Sequence, residues 1–219
     1  MTYSVKEMFL SVQGEGAHTG RPSVFLRFSG CNLWSGREKD RASAVCKFCD
    51  TDFVGMDGLG GGQFKTADDL AKEVMSYWPN NGNEDGGEPW VICTGGEPLL
   101  QLDDNLVNAL HKTGFKIGVE SNGTIKAPKG IDWLCISPKA DAELVQKNGD
   151  ELKLVYPQTD NKPKDFEKLD FSVFSLQPRD DSYLSNKKSD ANNRAAFEYC
   201  VANPKWRLSL QTHKYLGVR

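Results

Sequence analysis

Strand-like and helix-like segments alternate along this chain, and that alternation constrains its fold more than any other feature. PSVFLRFS (22–29), PWVICTGG (89–96), KIGVES (116–121), WLCIS (133–137), ELKLVY (151–156), FSVFSLQ (171–177) and WRLSLQT (206–212) read as strands. ADDLAKEVMSYW places Leu70, Val74 and Trp78 on one helical face, behind Thr66 as N-cap and with Asp68 and Asp69 in the first turn. LDDNLVNALHK (102–112) spaces Leu102, Leu106 and Leu110 four apart, with Gly114 as the stop, and a further helix is predicted over 189–202. Such alternation implies parallel βαβ units. The units are too few for a complete eight-fold barrel of about 250 residues. The expectation is an α/β fold, a shortened, open (β/α) partial barrel of TIM type. A doubly wound sheet is the competing architecture, and sequence alone does not separate the two.

One domain over 1–219 is expected, because the alternation continues across the Gly-, Asn- and Asp-rich loops at 55–63 and 80–88. Gly60, Gly61 and Gly62 lack the lysine spacing of a phosphate-binding loop. A formal net charge of −3 offers no basic footprint, so direct nucleic-acid binding is not expected. MTYSVKEMFLSVQGEG has no apolar h-region, and no apolar run approaches the roughly 18 residues of a membrane span; neither a signal peptide nor membrane insertion is expected.

The six cysteines do not form a disulfide framework by spacing. Cys93, Cys135 and Cys200 stand in apolar contexts and read as small buried hydrophobes, which fits a reducing, cytoplasmic setting. The other three differ. Cys31 is followed, fourteen residues later, by Cys46-Lys47-Phe48-Cys49-Asp50-Thr51. Three thiolates can hold three irons of a 4Fe-4S cluster and leave the fourth iron open, whereas a closed electron-transfer cluster uses four cysteines. An open position can take a small molecule, as it does in catalytic zinc sites.

Polar clusters recur at one end of successive strands: Cys31, TGGEP (94–98), ESNG (120–123), SPK (137–139), QPRD (177–180) and QTHK (211–214). Residues so placed share a pocket in a barrel. TGGEP alone reads as a tight turn with Pro98 opening a helix. Beside the cysteine triad, its paired glycines read instead as backbone that approaches a ligand.

Cys31, CKFCDT, TGGEP, ESNG and SPK together resemble the radical S-adenosylmethionine enzymes. MFLSVQGEG, FLRFSGCNLWSGRE, CDTDF, the TGGEP strand and QTHKYLG resemble, nearly end to end, the 7-carboxy-7-deazaguanine synthase family. Most radical S-adenosylmethionine proteins space the first two cysteines by three residues; here Asn32, Leu33, Trp34 and the charged run from Arg37 to Arg41 lie in a longer insertion.

The resemblance implies a barrel of the radical S-adenosylmethionine type and a carbon–nitrogen lyase reaction. In it, 6-carboxy-5,6,7,8-tetrahydropterin becomes 7-carboxy-7-deazaguanine with loss of ammonia, S-adenosylmethionine being regenerated. It implies that Cys31, Cys46 and Cys49 ligate the cluster and that Thr51 binds Mg2+. Phe48, Cys49, Asp50, Gly96, Ser137, Pro138, Lys139, Gln177, Pro178, Arg179 and Asp180 would meet S-adenosylmethionine. Val12, Gln13, Gly14, Arg27, Thr94 and the carboxylate of Arg219 would meet the pterin, with Glu15 and His213 as secondary candidates. It also implies a homodimer and an electron donor such as flavodoxin. Read as residues alone, Arg27 could be a surface charge on an edge strand, Thr51 a turn residue and SPK an ordinary proline turn; His18 and His111 read as surface residues. A glycyl-radical activase is an alternative within the superfamily. A structural zinc module, with His18 as fourth ligand, is an alternative outside it.

Overall fold

The computed structural model describes residues 2–79, 87–182 and 185–218. Nine strands form one sheet among them: β1 (Tyr3–Val12), β2 (Pro22–Phe28), β3 (Gly62–Phe64), β4 (Trp90–Gly95), β5 (Lys116–Ser121), β6 (Trp133–Ile136), β7 (Asn148–Tyr156), β8 (Asp170–Pro178) and β9 (Trp206–Leu208). The order is β3-β1-β2-β4-β5-β6-β7-β8-β9. The β1–β2 and β1–β3 pairs are antiparallel, and every pair from β2 to β9 is parallel.

This order decides between the two expected architectures. The parallel strands follow one another across the sheet in chain order, with no reversal. A doubly wound sheet needs a reversal, and the crevice at that point is its binding site. Without one, right-handed crossovers all fall on the same face, and the sheet winds as a barrel does. Its edges, β3 and β9, stay apart, so the barrel is partial and open.

The helices form where patterning and caps coincide. In α1 (Ala67–Ser76), Thr66 accepts from Asp69 N at the N-cap, and Leu70, Ala71 and Val74 are buried. The helix α2 (Asp104–Lys112) begins two residues later than its leucine spacing implies, because Asp103 caps it by accepting from Leu106 N at 2.9 Å. Gly114, at φ +95°, takes the left-handed position beyond its end. The helix α3 (Asn186–Ala202) starts behind Ser185, three residues before the expected boundary, and packs on β8 and β9. WRLSLQT yields only the short β9, followed by α4 (Thr212–Leu216). The links β5–β6, β6–β7 and β7–β8 carry no α-helix. No helix of the described residues is long and apolar enough to cross a membrane.

Period-two alternation sorts each strand into two faces. Val24, Leu26, Val91, Cys93, Ile117, Val119, Leu152 and Leu154 join one apolar core with α1 and α2. The opposite parity carries Arg27, Thr94, Glu120, Lys153 and Gln177, which line the cavities described below. Cys93 is buried in the apolar core as expected; Cys135 is buried too, but on the opposite face beside Glu120 and Glu151, and Cys200 is only half-buried.

The link from β1 to β2 closes the other end of the barrel. Its 3-10 turn, Gly16–His18, sends Ala17 N to both Glu151 oxygens (3.2 and 3.0 Å) and Gly16 N to Ser209 Oγ (2.7 Å). His18 is not a surface residue. It stacks on Trp133 at 4.4 Å and meets Trp90 edge-on at 4.9 Å, while Arg21 covers the Trp90 ring at 4.3 Å. Trp90 and Trp133 open their strands, so His18 sits at the end opposite Cys31 and is no fourth ligand for the cysteines. His111 is on the surface as expected, paired to Asp132 at 2.9 Å.

Burial, reinforced by Arg21, lowers the His18 pKa, against the weaker opposite pull of Glu151 and Asp150. The sign follows. The unfolded imidazole takes its proton near pH 6.5 and the folded one resists it, so this stabilisation is full above that value and is lost as pH falls through the folded pKa. His18→Phe keeps an aromatic plate and removes the proton site. Its unfolding free energy in urea is expected to fall less than the wild type's between about pH 7.5 and 5.5. Parallel declines would show that His18 contributes nothing to the slope.

Candidate active site

Two adjoining cavities lie on the inner face of the sheet, the first at the C-terminal ends of the parallel strands and the second reaching along β1 to Val12. The first is lined by Cys31, Cys46, Phe48, Cys49, Asp50, Thr51, Gly96, Ser137, Lys139, Gln177, Pro178, Arg179 and Asp180. The second is lined by Val12, Gln13, Gly14, Glu15, Arg27, Thr94 and His213, with Lys214 beside them. Glu15, Asp50, Thr51, Glu120 and Gln211 belong to both walls. The residues expected to meet a cofactor and those expected to meet a substrate therefore line two touching spaces, Asp50 and Glu15 belonging to both, with Thr51 on the shared rim. Pro138 lines neither cavity; it is buried, and its carbonyl accepts from Gln158 Nε2 at 3.4 Å. Arg219 lies outside the described residues.

The three cysteines share the first cavity with no disulfide among them. The Cys46 thiol donates to Cys49, which lowers the Cys49 pKa against the opposing effect of burial and raises that of Cys46, where burial adds to the rise. Burial also raises Cys31, although the Leu33 and Trp34 amides pull it down. Three half-buried or buried thiols on one wall suit a soft metal cluster in their donor chemistry.

Gly96 is small because of its neighbours. A Cβ there would overlap Gly30 O and approach Cys31 Cβ to 2.6 Å. The close approach is to the cysteine-bearing turn itself, and Gly96 still lines the cavity. Pro98 opens a 3-10 turn, Pro98–Leu100, rather than an α-helix. Glu97 is fully buried and accepts from Leu99 N (2.9 Å), Ser121 Oγ (2.8 Å) and Asn122 N (2.7 Å). Asn122 Nδ2 donates to Asn32 Oδ1 at 3.0 Å, so the ESNG turn is tied to the residue after Cys31. Burial raises the Glu97 pKa against these donors.

Between the cavities lies a charge network that the motifs do not reveal. Lys153 Nζ meets Glu15 Oε2 at 2.7 Å and Glu120 Oε2 at 2.9 Å, with only 4% of its side chain exposed. Gln211 Nε2 donates to Glu15 Oε1 at 2.9 Å, and Gln13 Nε2 to Glu120 Oε1 at 3.1 Å. Burial alone would raise the Glu15 pKa, but Lys153 and Gln211 outweigh it and hold the carboxyl near 2. Glu120 is pushed up, burial exceeding the pull of Lys153. The signal for Lys153 is its parity: Glu151 and Lys153 alternate with Leu152 and Leu154 along β7.

The remaining cations are engaged. Arg27 Nε donates to Glu7 Oε1 at 2.9 Å, and β2 lies inside the sheet, so Arg27 is no edge-strand surface charge. Arg179 is held on Asp181 (2.8–3.1 Å) and on Pro157 O (3.2 Å). Lys139 Nζ folds back on Ser137 O (2.6 Å) and Oγ (2.7 Å). Lys214 Nζ joins Asp50 (2.8 Å) to Asp180 (2.6 Å), and Thr212 N donates to Gly14 O at 2.8 Å, which seats α4 across both cavities. His213 packs on Gly14, where a Cβ would overlap its ring.

No protein-family model matches the chain. It is 60% identical over 218 residues to the 7-carboxy-7-deazaguanine synthase of Caulobacter vibrioides, all of each chain being covered. It is 57% identical over 220 residues to that of Bradyrhizobium diazoefficiens, again over all of both. In structure it is similar to crystalline QueE from Escherichia coli, with a TM-score of 0.64 and 25% identity over 97% of this chain and 95% of that one.

Proposed function

The chain belongs to the 7-carboxy-7-deazaguanine synthase family, and from that premise we propose that it contracts the ring of 6-carboxy-5,6,7,8-tetrahydropterin to 7-carboxy-7-deazaguanine, with loss of ammonia, as a carbon–nitrogen lyase. The product feeds 7-deazapurine (queuosine) biosynthesis. The observation that carries this reading is the pair of cavities sharing one rim, one with three cysteines and one with Arg27 and Thr94.

Cys31, Cys46 and Cys49 would hold a 4Fe-4S cluster, which, with S-adenosylmethionine, would supply the radical that takes a hydrogen atom from the pterin. Phe48, Asp50, Gly96, Ser137, Lys139 and the segment Gln177–Asp180 wall the space for that cofactor. Glu7 fixes one edge of the Arg27 guanidinium, whose planar fork suits the substrate carboxylate. Thr51 would hold Mg2+ at the rim, with that same carboxylate sharing the ion, since magnesium takes few protein ligands. Glu15 and Glu120 present carboxylates where a ring with adjacent N–H donors would lie. A homodimer, and a low-potential electron donor such as flavodoxin, belong to the same proposal.

The test is anaerobic: reconstitute with iron and sulfide, reduce, and supply S-adenosylmethionine, magnesium and the carboxytetrahydropterin. Mass spectrometry should find 7-carboxy-7-deazaguanine without net consumption of S-adenosylmethionine. Cleavage to 5′-deoxyadenosine with no deazapurine would discard this substrate. A glycyl-radical activase is not favoured, since the full-length relatives carry the synthase name.

A further inference from the structure

The fourteen residues between Cys31 and Cys46 are folded back on the cysteine turn. Leu33 O accepts from Val45 N (3.1 Å) and Cys46 N (3.3 Å), which closes the insertion at its base. Inside it, a 3-10 turn, Glu38–Ser43, presents Arg41. Arg41 Nη1 donates to Lys47 O at 3.0 Å and to Cys49 O at 3.1 Å, two carbonyls of the C-x-x-C turn. Its Nε donates to both Glu38 oxygens at 2.8 Å, and its guanidinium lies 4.1 Å from the centre of the Trp34 ring. Trp34 is itself buried, edge-on to Phe53 and donating to Arg37 O at 3.3 Å.

We propose that Arg41 is a positioning residue for the cluster site: a clamp carried by the insertion that fixes the backbone between Cys46 and Cys49 and so sets their thiols. The chemistry requires arginine. Only a planar guanidinium can stack on an indole, pair a carboxylate through Nε and bridge two carbonyls through one terminal nitrogen at once. A lysine ammonium keeps the charge and loses the fork. Groups that orient metal ligands, when replaced, cost about 10- to 100-fold in metal affinity or activity. The insertion therefore does more than lengthen the chain between two ligands. It substitutes a side-chain brace for the short spacing that would otherwise constrain the first cysteine relative to the other two.

The proposal rests on the cluster reading above, and its test separates the two. The reconstituted full-length protein and its Arg41→Met and Arg41→Lys variants are challenged anaerobically with an iron chelator, and the loss of cluster absorbance is timed. Electron paramagnetic resonance of the reduced cluster is recorded with and without S-adenosylmethionine. Both variants should lose iron about tenfold faster and show an altered signal on adding S-adenosylmethionine, with unfolding midpoints near the wild type's. Arg194→Met, which removes a surface pair to Glu198 on α3, should change neither readout. Glu38→Gln, which removes the carboxylate charge and one of the two oxygens that accept from Nε, should move both in the same direction by less, and it serves as the probe if Arg41→Met fails to fold. Chelation rates and spectra equal to wild type in the Arg41 variants would overturn the clamp. A wild-type protein that assembles no cluster would instead overturn the cluster reading.

Discussion

Lys153→Met is expected to destabilise the protein by about 3–5 kcal/mol at neutral pH, the range for removing one partner from a buried ion pair. Lys153 stands in the middle of β7 between Glu15 and Glu120, and both carboxylates depend on it for neutralisation. Methionine fills a similar volume, so the loss would reflect charge rather than a cavity. The variant also carries a pH signature. In the wild type, Glu15 is held near 2 despite burial, so its contribution is present above the unfolded carboxyl pKa and fades as pH falls toward the folded value. Without the ammonium, burial dominates and the folded carboxyl pKa values rise. That penalty is absent below the unfolded pKa and grows as pH rises through the folded one. Lys153→Met should therefore recover part of its lost stability relative to wild type between about pH 7.5 and 5. Denaturant unfolding at several pH values measures both effects. A loss under about 1 kcal/mol, in the range of an exposed pair, would mean that the network is solvated and weak.

Gly96→Ala is expected to cost about 1–3 kcal/mol by overpacking and to abolish stable cluster assembly. The added methyl would meet backbone, Gly30 O, and the Cβ of Cys31, neither of which can rotate away. Relief requires the ends of β2 and β4 to separate, and that would break the Glu97 N to Gly30 O bond at 3.0 Å. Gly14→Ala is the contrasting case, because its methyl would meet the His213 ring, a side chain that can swing aside. That variant should keep its iron and lose pterin affinity. Iron content after reconstitution, read beside the thermal unfolding midpoint, distinguishes the two. Wild-type iron and midpoint in Gly96→Ala would refute the backbone argument.

What the sequence made legible was local. Thr66 and Gly114 mark helix ends through contacts within a few residues, and the expected boundaries of α1 and β5 fall within two residues of those found, whereas the Asp103 cap of α2 is not read from the leucine spacing. The motif residues converge because strand ends converge in any barrel. The strand β1 is not legible in the sequence because a register shift between Val5 and Glu7 breaks its alternation, and because Lys6 and Glu7 place two charges in mid-strand. Lys6 is nonetheless buried, held by Asp52 and Asp57 from a loop some fifty residues away. Strand order likewise depends on pairing between distant segments, and so the barrel could not be told from a doubly wound sheet. The short β3 lies within a glycine-rich stretch that reads as loop, and α4 is a single short helix seated by Gly14, Asp50 and Asp180 rather than by its own pattern. His18 misled for the same reason: the two tryptophans that enclose it lie about seventy and one hundred and fifteen residues further along the chain.

The common rim of Glu15, Asp50, Thr51, Glu120 and Gln211 has a thermodynamic consequence. A molecule in either cavity touches groups that the other cavity also uses, so the two occupancies are energetically linked. Linkage is reciprocal: the factor by which the first occupant changes affinity for the second equals the factor by which the second changes affinity for the first. Sharing five residues thus makes dissociation of either occupant report on the presence of the other, with no moving domain required.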